Sequence, residues 1–229
     1  MSADNTKSMK ILLVGSGGLV GQGVAQACAA SAKVAQVTAL VRREGAAPAG
    51  FEEWVLPDFL QAAHADLPWT GFDACLYCAG APPLGTPEAE YRQVTVDATL
   101  AIARAWASAN PQGCFLYISG AHANPTSRIM PLRVKGEIEL ALARLPVRTV
   151  MLRPAGVQPV AGTGTRHAPM KPFYWVAAPL MGVVGSMLPS LSVSNRAIGE
   201  AMIALAGMAQ PPGVVECAQI HRFAGPKTR

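Results

Sequence analysis

Gly15, Gly18 and Gly21 follow the apolar run Ile11-Leu12-Leu13-Val14, spaced three residues apart. Each glycine has a distinct physical use. Gly15 lets the chain turn tightly out of a strand. Gly18 has no Cβ, so backbone can approach a pyrophosphate there, and Gly21 lets a following helix pack closely against the strand. The first N–H groups of that helix then face the phosphates, with the helix dipole favouring negative charge. The spacing is G-x-x-G-x-x-G, and Val20 stands where the commoner G-x-G-x-x-G has its last glycine. A glycine-rich turn without nucleotide is the bland alternative; a strand before and a helix after favour the nucleotide. A charged feature follows about 20 residues on. Arg42-Arg43 occupies the place where an acidic residue normally binds the ribose 2′-hydroxyl. A guanidinium fork suits a 2′-phosphate, which favours NADP over NAD. The alternative is a pair of exposed surface arginines.

The elements that position these residues alternate. Strands are expected at Lys10–Val14, Val34–Val41, Trp54–Leu56, Asp73–Cys78, Cys114–Ile118, Val147–Leu152 and Val214–Ala218. Helices are expected at Leu19–Ala30, Pro87–Asn110, Pro131–Leu145 and, with Asn195 as N-cap, through Met208. Such alternation predicts an α/β fold, a Rossmann-like doubly wound parallel sheet in a single domain. Ligands of such sheets lie beyond the carboxyl ends of the strands, near the switch in strand order. Gly15-Ser16, Arg42-Arg43, Asp58, Ala79-Gly80, Ser119 and Pro154 all fall at those ends. Asp58 is placed to reach an adenine amino group, or to cap a turn.

With 229 residues, 51% of them hydrophobic and 14% charged, the chain can fill one α/β core and is not disordered. The net charge of +5 comes from scattered Lys and Arg, so nucleic acid is not expected as a partner. Five cysteines, an odd number, argue against a disulfide framework and for a reducing, cytoplasmic setting. Cys75 and Cys78 have redox or metal spacing, but in a strand residues three apart point to opposite faces. They are expected to pack in the core, and no metal site is expected. Residues 1–8 are expected to be a flexible tail and 9–229 the folded domain. Pro172–Asn195 contains no charged side chain and is long enough for a membrane span. Pro172, Pro179 and Pro189, with Gly182 and Gly185, interrupt a single helix. A hydrophobic lid or core pair over a substrate pocket is therefore favoured over membrane contact.

Several ordered motifs resemble one family. They are Gly15-x-x-Gly18-x-x-Gly21, Leu40-Val41-Arg42-Arg43, Tyr117-Ile118-Ser119, Lys135-Gly136-Glu137-x-Glu139 and Leu152-Arg153-Pro154. Together, across residues 9–160 and more weakly through 208, they resemble the atypical short-chain dehydrogenase/reductases. The nearest subgroup comprises the NAD(P)-binding, Tat-interacting-protein-like and NmrA-like proteins. The resemblance implies cofactor contacts at Gly15, Ser16, Gly18, Leu19, Val20, Gly21, Arg42, Arg43, Asp58, Phe59, Ala79, Gly80, Ser119, Lys135, Pro154 and Val157. It also implies chemistry by a serine, a tyrosine and a lysine four residues after the tyrosine. Ser119 matches the serine and Lys135 the lysine.

The tyrosine is missing. Pro131 stands four residues before Lys135, and no tyrosine lies between Tyr117 and Tyr174. Three readings follow: the chain binds NADP without turnover, as a regulator or sensor; His122 moves the proton; or Tyr174 or His167 closes over the pocket from the loop after the sixth strand. A further class is an assembly factor docked to a membrane or partner through 172–195. The ligand side is expected to be residues 155–195, whose apolar character points to an apolar small-molecule substrate or regulatory ligand. Substrate and oligomeric state are not legible.

Overall fold

The computed structural model describes residues 8–83, 85–164 and 190–225. Strand β1 (Met9–Val14) leads through the glycine turn into α1 (Leu19–Ala30) and then β2 (Val34–Val41). β3 (Glu52–Val55) is followed by a 3-10 helix (Phe59–His64) and β4 (Ala74–Tyr77). A long helix comes next, in two α-helical parts, α2 (Glu88–Arg92) and α3 (Ala98–Ala109), joined by a π-helical turn at Gln93–Asp97. β5 (Cys114–Ile118), α4 (Met130–Leu142) and β6 (Arg148–Arg153) complete the second half. Then come β7 (Gly156–Gln158), β8 (Ser192–Ser194), α5 (Asn195–Ala206), β9 (Val214–Glu216) and α6 (Cys217–Phe223).

The main sheet is parallel, in the order β3-β2-β1-β4-β5-β6-β9. The chain runs outward from β1 to β3 and then returns to the other side of β1 at β4. The switch in strand order therefore lies between β1 and β4, directly above the glycine turn. β7 and β8 form a separate parallel pair. Ile11, Leu12, Leu13 and Val14 are fully buried because β1 is covered on both faces. Ile11 and Leu13 pack against α1, α5 and α6; Leu12 and Val14 face α3 and α4. Gly23 and Gly199 let α1 and α5 cross closely: a Cβ on either would meet the other helix's backbone.

Local forces move several boundaries. Ser194, not Asn195, caps α5: its hydroxyl accepts the Ala197 N–H at 3.1 Å, and Asn195 is fully buried instead. The strand expected through Ala218 stops at Glu216. There Glu216 and Gln219 form a reciprocal capping box, with the Glu216 N–H donating to Gln219 Oε1 at 2.8 Å, and α6 begins. The expected uniform helix over 87–110 contains the π-helical turn, with Thr95 buried in it. The strand expected at Trp54–Leu56 runs from Glu52 to Val55.

All five cysteines are free. Cys75 faces the α3–α4 side and Cys78 packs against the α1 side, as strand alternation requires. Residues 165–189, which include His167, Tyr174 and most of the 172–195 stretch, lie outside the described residues, as do residues 1–7 of the expected tail. Among the described residues no helix is long and apolar enough to cross a membrane.

Candidate functional site

The glycine turn is built from backbone. Gly15 has φ +83°, and its carbonyl accepts the Gly18 N–H at 3.1 Å. A Cβ at Gly15 would collide with the Ala79 backbone, which β4 brings against the turn. Cys78 N–H donates to Val14 O at 2.8 Å and holds those two strand ends together. A Cβ at Gly21 would run into the Gly15 carbonyl, so α1 packs onto its own turn only because residue 21 is glycine. At Gly18 the space is open, the nearest atom to a Cβ being Gly15 O at 3.6 Å. Gly18 is also the N-cap of α1 and supplies no side-chain acceptor for the first N–H groups at Leu19 and Val20. Ser16 is 3% exposed, and its Oγ has no hydrogen-bond partner among the described residues.

The neighbouring edge carries the cations. Arg42 and Arg43 leave β2 exposed, and neither guanidinium has a partner among the described residues. Their loop is fixed by Glu53, whose carboxylate accepts the N–H groups of Gly45 at 2.9 Å and Ala47 at 2.8 Å. Those bonds hold the Glu53 carboxyl below its ordinary value. Asp58 caps the 3-10 helix, accepting the Leu60 N–H at 3.0 Å, and Phe59 begins that helix half-buried. Gly80 follows Ala79 in the open.

Register brings the remaining residues to the same edge, since Tyr77 pairs with Tyr117 and Ile118 with Leu152. Ser119 N–H donates to Leu152 O at 2.8 Å, and Ser119 Oγ is buried without a partner among the described residues. Pro154 O accepts the Ala121 N–H at 3.0 Å. Val157 sits half-buried in β7.

Lys135 is placed differently from a free ligand-binding lysine. Its Nζ donates to Tyr117 Oη at 2.8 Å and to Ile118 O at 2.9 Å, and lies 4.6 Å from the centre of the Tyr117 ring. Burial pulls its pKa down to about 8, with Glu139 opposing that shift. Burial also pushes the Tyr117 phenol well above its ordinary value. Glu139 is committed elsewhere: Arg153 Nε donates to its Oε1 at 2.9 Å and Arg153 Nη2 to its Oε2, while Arg153 Nη1 reaches Glu216 at 2.9 Å. Pro131 occupies the first turn of α4, where its missing N–H costs nothing.

Sequence reasoning missed three residues. Tyr117 is one; strand parity, two residues before Ser119 on the same face, was the available signal. Gln22 and Asn195 are the others. Gln22 Nε2 donates to Gly17 O and to Gly164 O, each at 3.0 Å, and its Oε1 accepts the Gly164 N–H at 2.9 Å. Asn195 Nδ2 donates to Leu19 O at 2.8 Å and to Thr163 Oγ1 at 2.9 Å. Together they strap residues 160–164 to the start of α1. No sequence signal marks pairings of that range.

No protein-family model matches the chain, and no curated protein matches it. Solved structures do. The Bordetella bronchiseptica enzyme WbmF in complex with NAD+ superposes with a TM-score of 0.66 at 15% identity, over 96% of this chain and 78% of that one. A short chain dehydrogenase from Burkholderia cenocepacia in complex with NADP gives 0.61 at 15%, over 92% and 88%. This chain shares the Rossmann-like fold of these structures. WbmF in complex with NAD+ and UDP matches over all of this chain and 81% of its own, with a TM-score of 0.64 at 15% identity.

Proposed function

We propose that residues 9–229 form one NADP-binding domain of the atypical short-chain dehydrogenase/reductase type, acting on a small molecule. One observation carries this reading: a buried Ser16 hydroxyl without a partner sits in the turn below the uncapped N-terminus of α1. A buried donor left unmade costs about 1–3 kcal/mol, so a hydroxyl kept there has a use that the protein alone does not supply. A pyrophosphate supplies it, accepting from Ser16 and from the α1 N–H groups beside the open face of Gly18. The residues thus fit a dinucleotide.

The relatives in this fold carry either NAD+ or NADP in their structures, so the choice rests on Arg42 and Arg43. Two unpaired guanidiniums on a loop held by Glu53 suit a 2′-phosphate. A bound nicotinamide dinucleotide supplies a hydride donor or acceptor. The chain's own residues bind and orient. Lys135 has three N–H donors and uses two on protein, which leaves one for a ribose hydroxyl. The Ser119 hydroxyl is available to a substrate oxygen. The ligand side is residues 155–195.

Calorimetry with NADPH and NADH on wild type and Arg42→Ala tests the reading. Wild type is expected to prefer NADPH, and Arg42→Ala to weaken NADPH by about 10- to 100-fold, or about 1.4–2.7 kcal/mol, with NADH unchanged. No binding of either dinucleotide overturns it.

A second reading, a regulator that binds NADP without turnover, draws support from the lysine held on Tyr117 and from proline in place of the tyrosine. A panel of carbonyls and alcohols separates the two: cofactor oxidation or reduction on any member removes the regulator reading.

A further inference from the structure

Proline at 131 leaves the proposed reaction without its usual proton donor. The loop after β5 offers another. Residues 120–123 form a tight turn closed by the Ala123 N–H donating to Gly120 O at 3.2 Å. His122 is its third residue, with φ +61°, and is the one described non-glycine residue with positive φ. A positive φ at that position is what a type II turn demands, and glycine meets it without steric cost. Histidine there carries backbone strain.

The turn has no slack to relieve that strain. On one side the Ala121 N–H donates to Pro154 O at 3.0 Å, fixing the turn over the end of β6. On the other the Asn124 N–H donates to Leu132 O at 2.9 Å, and Gly136 of α4 lies so close that a Cβ would meet the backbone of Asn124 and Pro125. Packing does not account for the histidine either, because His122 is exposed. Three residues earlier, Ser119 Oγ is buried without a partner. A strained turn, fixed by its backbone hydrogen bonds and carrying an exposed imidazole, thus follows an unsatisfied hydroxyl at the sheet edge where the strand ends converge.

We propose that His122 is the proton donor and acceptor for carbonyl–alcohol interconversion beside Ser119, in the role a tyrosine fills elsewhere. This rests on the dinucleotide reading above. In the reducing direction a bound reduced nicotinamide dinucleotide would supply the hydride to the carbonyl carbon. The π pair of the carbonyl moves to oxygen, and that oxygen takes the proton of the His122 imidazolium. The products are an alcohol, the oxidised dinucleotide and neutral imidazole, which water reprotonates. Histidine is suited to both directions near neutral pH. The Ser119 hydroxyl holds the substrate oxygen during the transfer.

The test uses the full chain with His122→Gly and His122→Gln. The imidazole proton resonance of His122, assigned by its loss in His122→Gln, is followed while NADP+ is added. Turnover of a carbonyl and alcohol panel, calorimetric NADPH affinity and the urea midpoint are measured alongside. The resonance is expected to move on cofactor addition. Both variants are expected to lose ~100-fold or more in turnover, the scale of a general acid–base group, with NADPH affinity kept. His122→Gly is expected to unfold at a higher urea midpoint than wild type, since glycine relaxes the turn; His122→Gln keeps the strain and serves should the glycine variant not fold. A resonance unmoved at saturating cofactor, a loss in turnover under about tenfold in both variants, or no turnover by wild type overturns the role of His122. Failure of wild type to bind NADPH by calorimetry is a separate result, and overturns the dinucleotide reading beneath it.

Discussion

The two halves of the sheet edge differ in what they are made of. Around β1, α1 and β2 the geometry is backbone: a positive φ at Gly15, Gly21 pressed on the Gly15 carbonyl, and uncapped N–H groups at the head of α1. Around β5 and α4 it is side chains: Ser119 without a partner among the described residues, Lys135 drawn onto Tyr117, and Pro131 in the first turn of α4. A backbone cradle survives most substitutions, because only glycines are irreplaceable in it. A constellation of side chains changes with each one. A chain can therefore keep the means to hold a dinucleotide while the chemistry beside it is rebuilt or given up.

The harshest way to break the first half is Gly21→Val. A Cβ there meets a backbone carbonyl that no side-chain rotation can move. The variant is expected to lose about 3 kcal/mol or more of stability, as overpacking against fixed neighbours does, and all measurable NADPH binding. Thermal unfolding and calorimetry read both. A variant that binds as wild type shows that the turn tolerates displacement of α1, and the contrast between the halves then fails.

The second half is sharpened by pH. Burial brings Lys135 down to about 8, whereas an unfolded lysine titrates at about 10.4. Between those values the unfolded chain holds the extra proton, so this residue's contribution to stability rises with pH. The buried thiols work the other way. Cys28 is pushed up to about 12 and Cys114 to about 11 by burial, so their contribution falls once pH passes the unfolded thiol value of about 8.5. Lys135→Met removes only the first slope. From pH 7 to pH 10 the stability difference between wild type and variant is expected to move by about 1–3 kcal/mol in favour of wild type. Urea midpoints across that range measure it. A difference that does not change with pH means a solvated ammonium, free to serve a ribose in the usual manner.

This contrast also sorts what was legible in the sequence. α1 and β2 lie where the sequence places them, Leu19–Ala30 and Val34–Val41, because turn, strand and helix there are neighbours along the chain. Ser119 falls at the end of β5 for the same reason. The Lys135–Tyr117 bond spans 18 residues, Gln22 to Gly164 spans 142, and Asn195 to Leu19 spans 176. Such pairings depend on which helix covers which face, and local residue type does not encode that. Asn195 shows the limit well. Asparagine is as good an N-cap as serine, yet tertiary burial claims it, and the cap shifts to Ser194.

Removing the unpaired hydroxyl tests the cradle more gently. Ser16→Ala deletes a buried polar atom that the protein does not satisfy. Its stability is expected to rise by about 1 kcal/mol, while NADPH affinity falls by about tenfold. Denaturant titration and calorimetry on the same preparation decide it. A loss of stability instead means that the hydroxyl has a partner within the protein, and the observation carrying the cofactor reading goes with it.

The smallest expected effect separates two uses of Asp58. As a cap on the Leu60 N–H, its loss in Asp58→Ala costs about 1 kcal/mol of stability and leaves cofactor affinity alone. As an acceptor for an adenine amino group as well, it also lowers affinity, and by the same few-fold factor for NADPH and NADH, since both carry the same base. Arg42→Ala is expected to affect NADPH alone. Equal losses for both dinucleotides at Asp58, beside a selective loss at Arg42, locate the base and the 2′-phosphate on adjacent loops of one edge. A stability loss with both affinities intact leaves Asp58 as a cap only, and the adenine then rests on the backbone around Phe59.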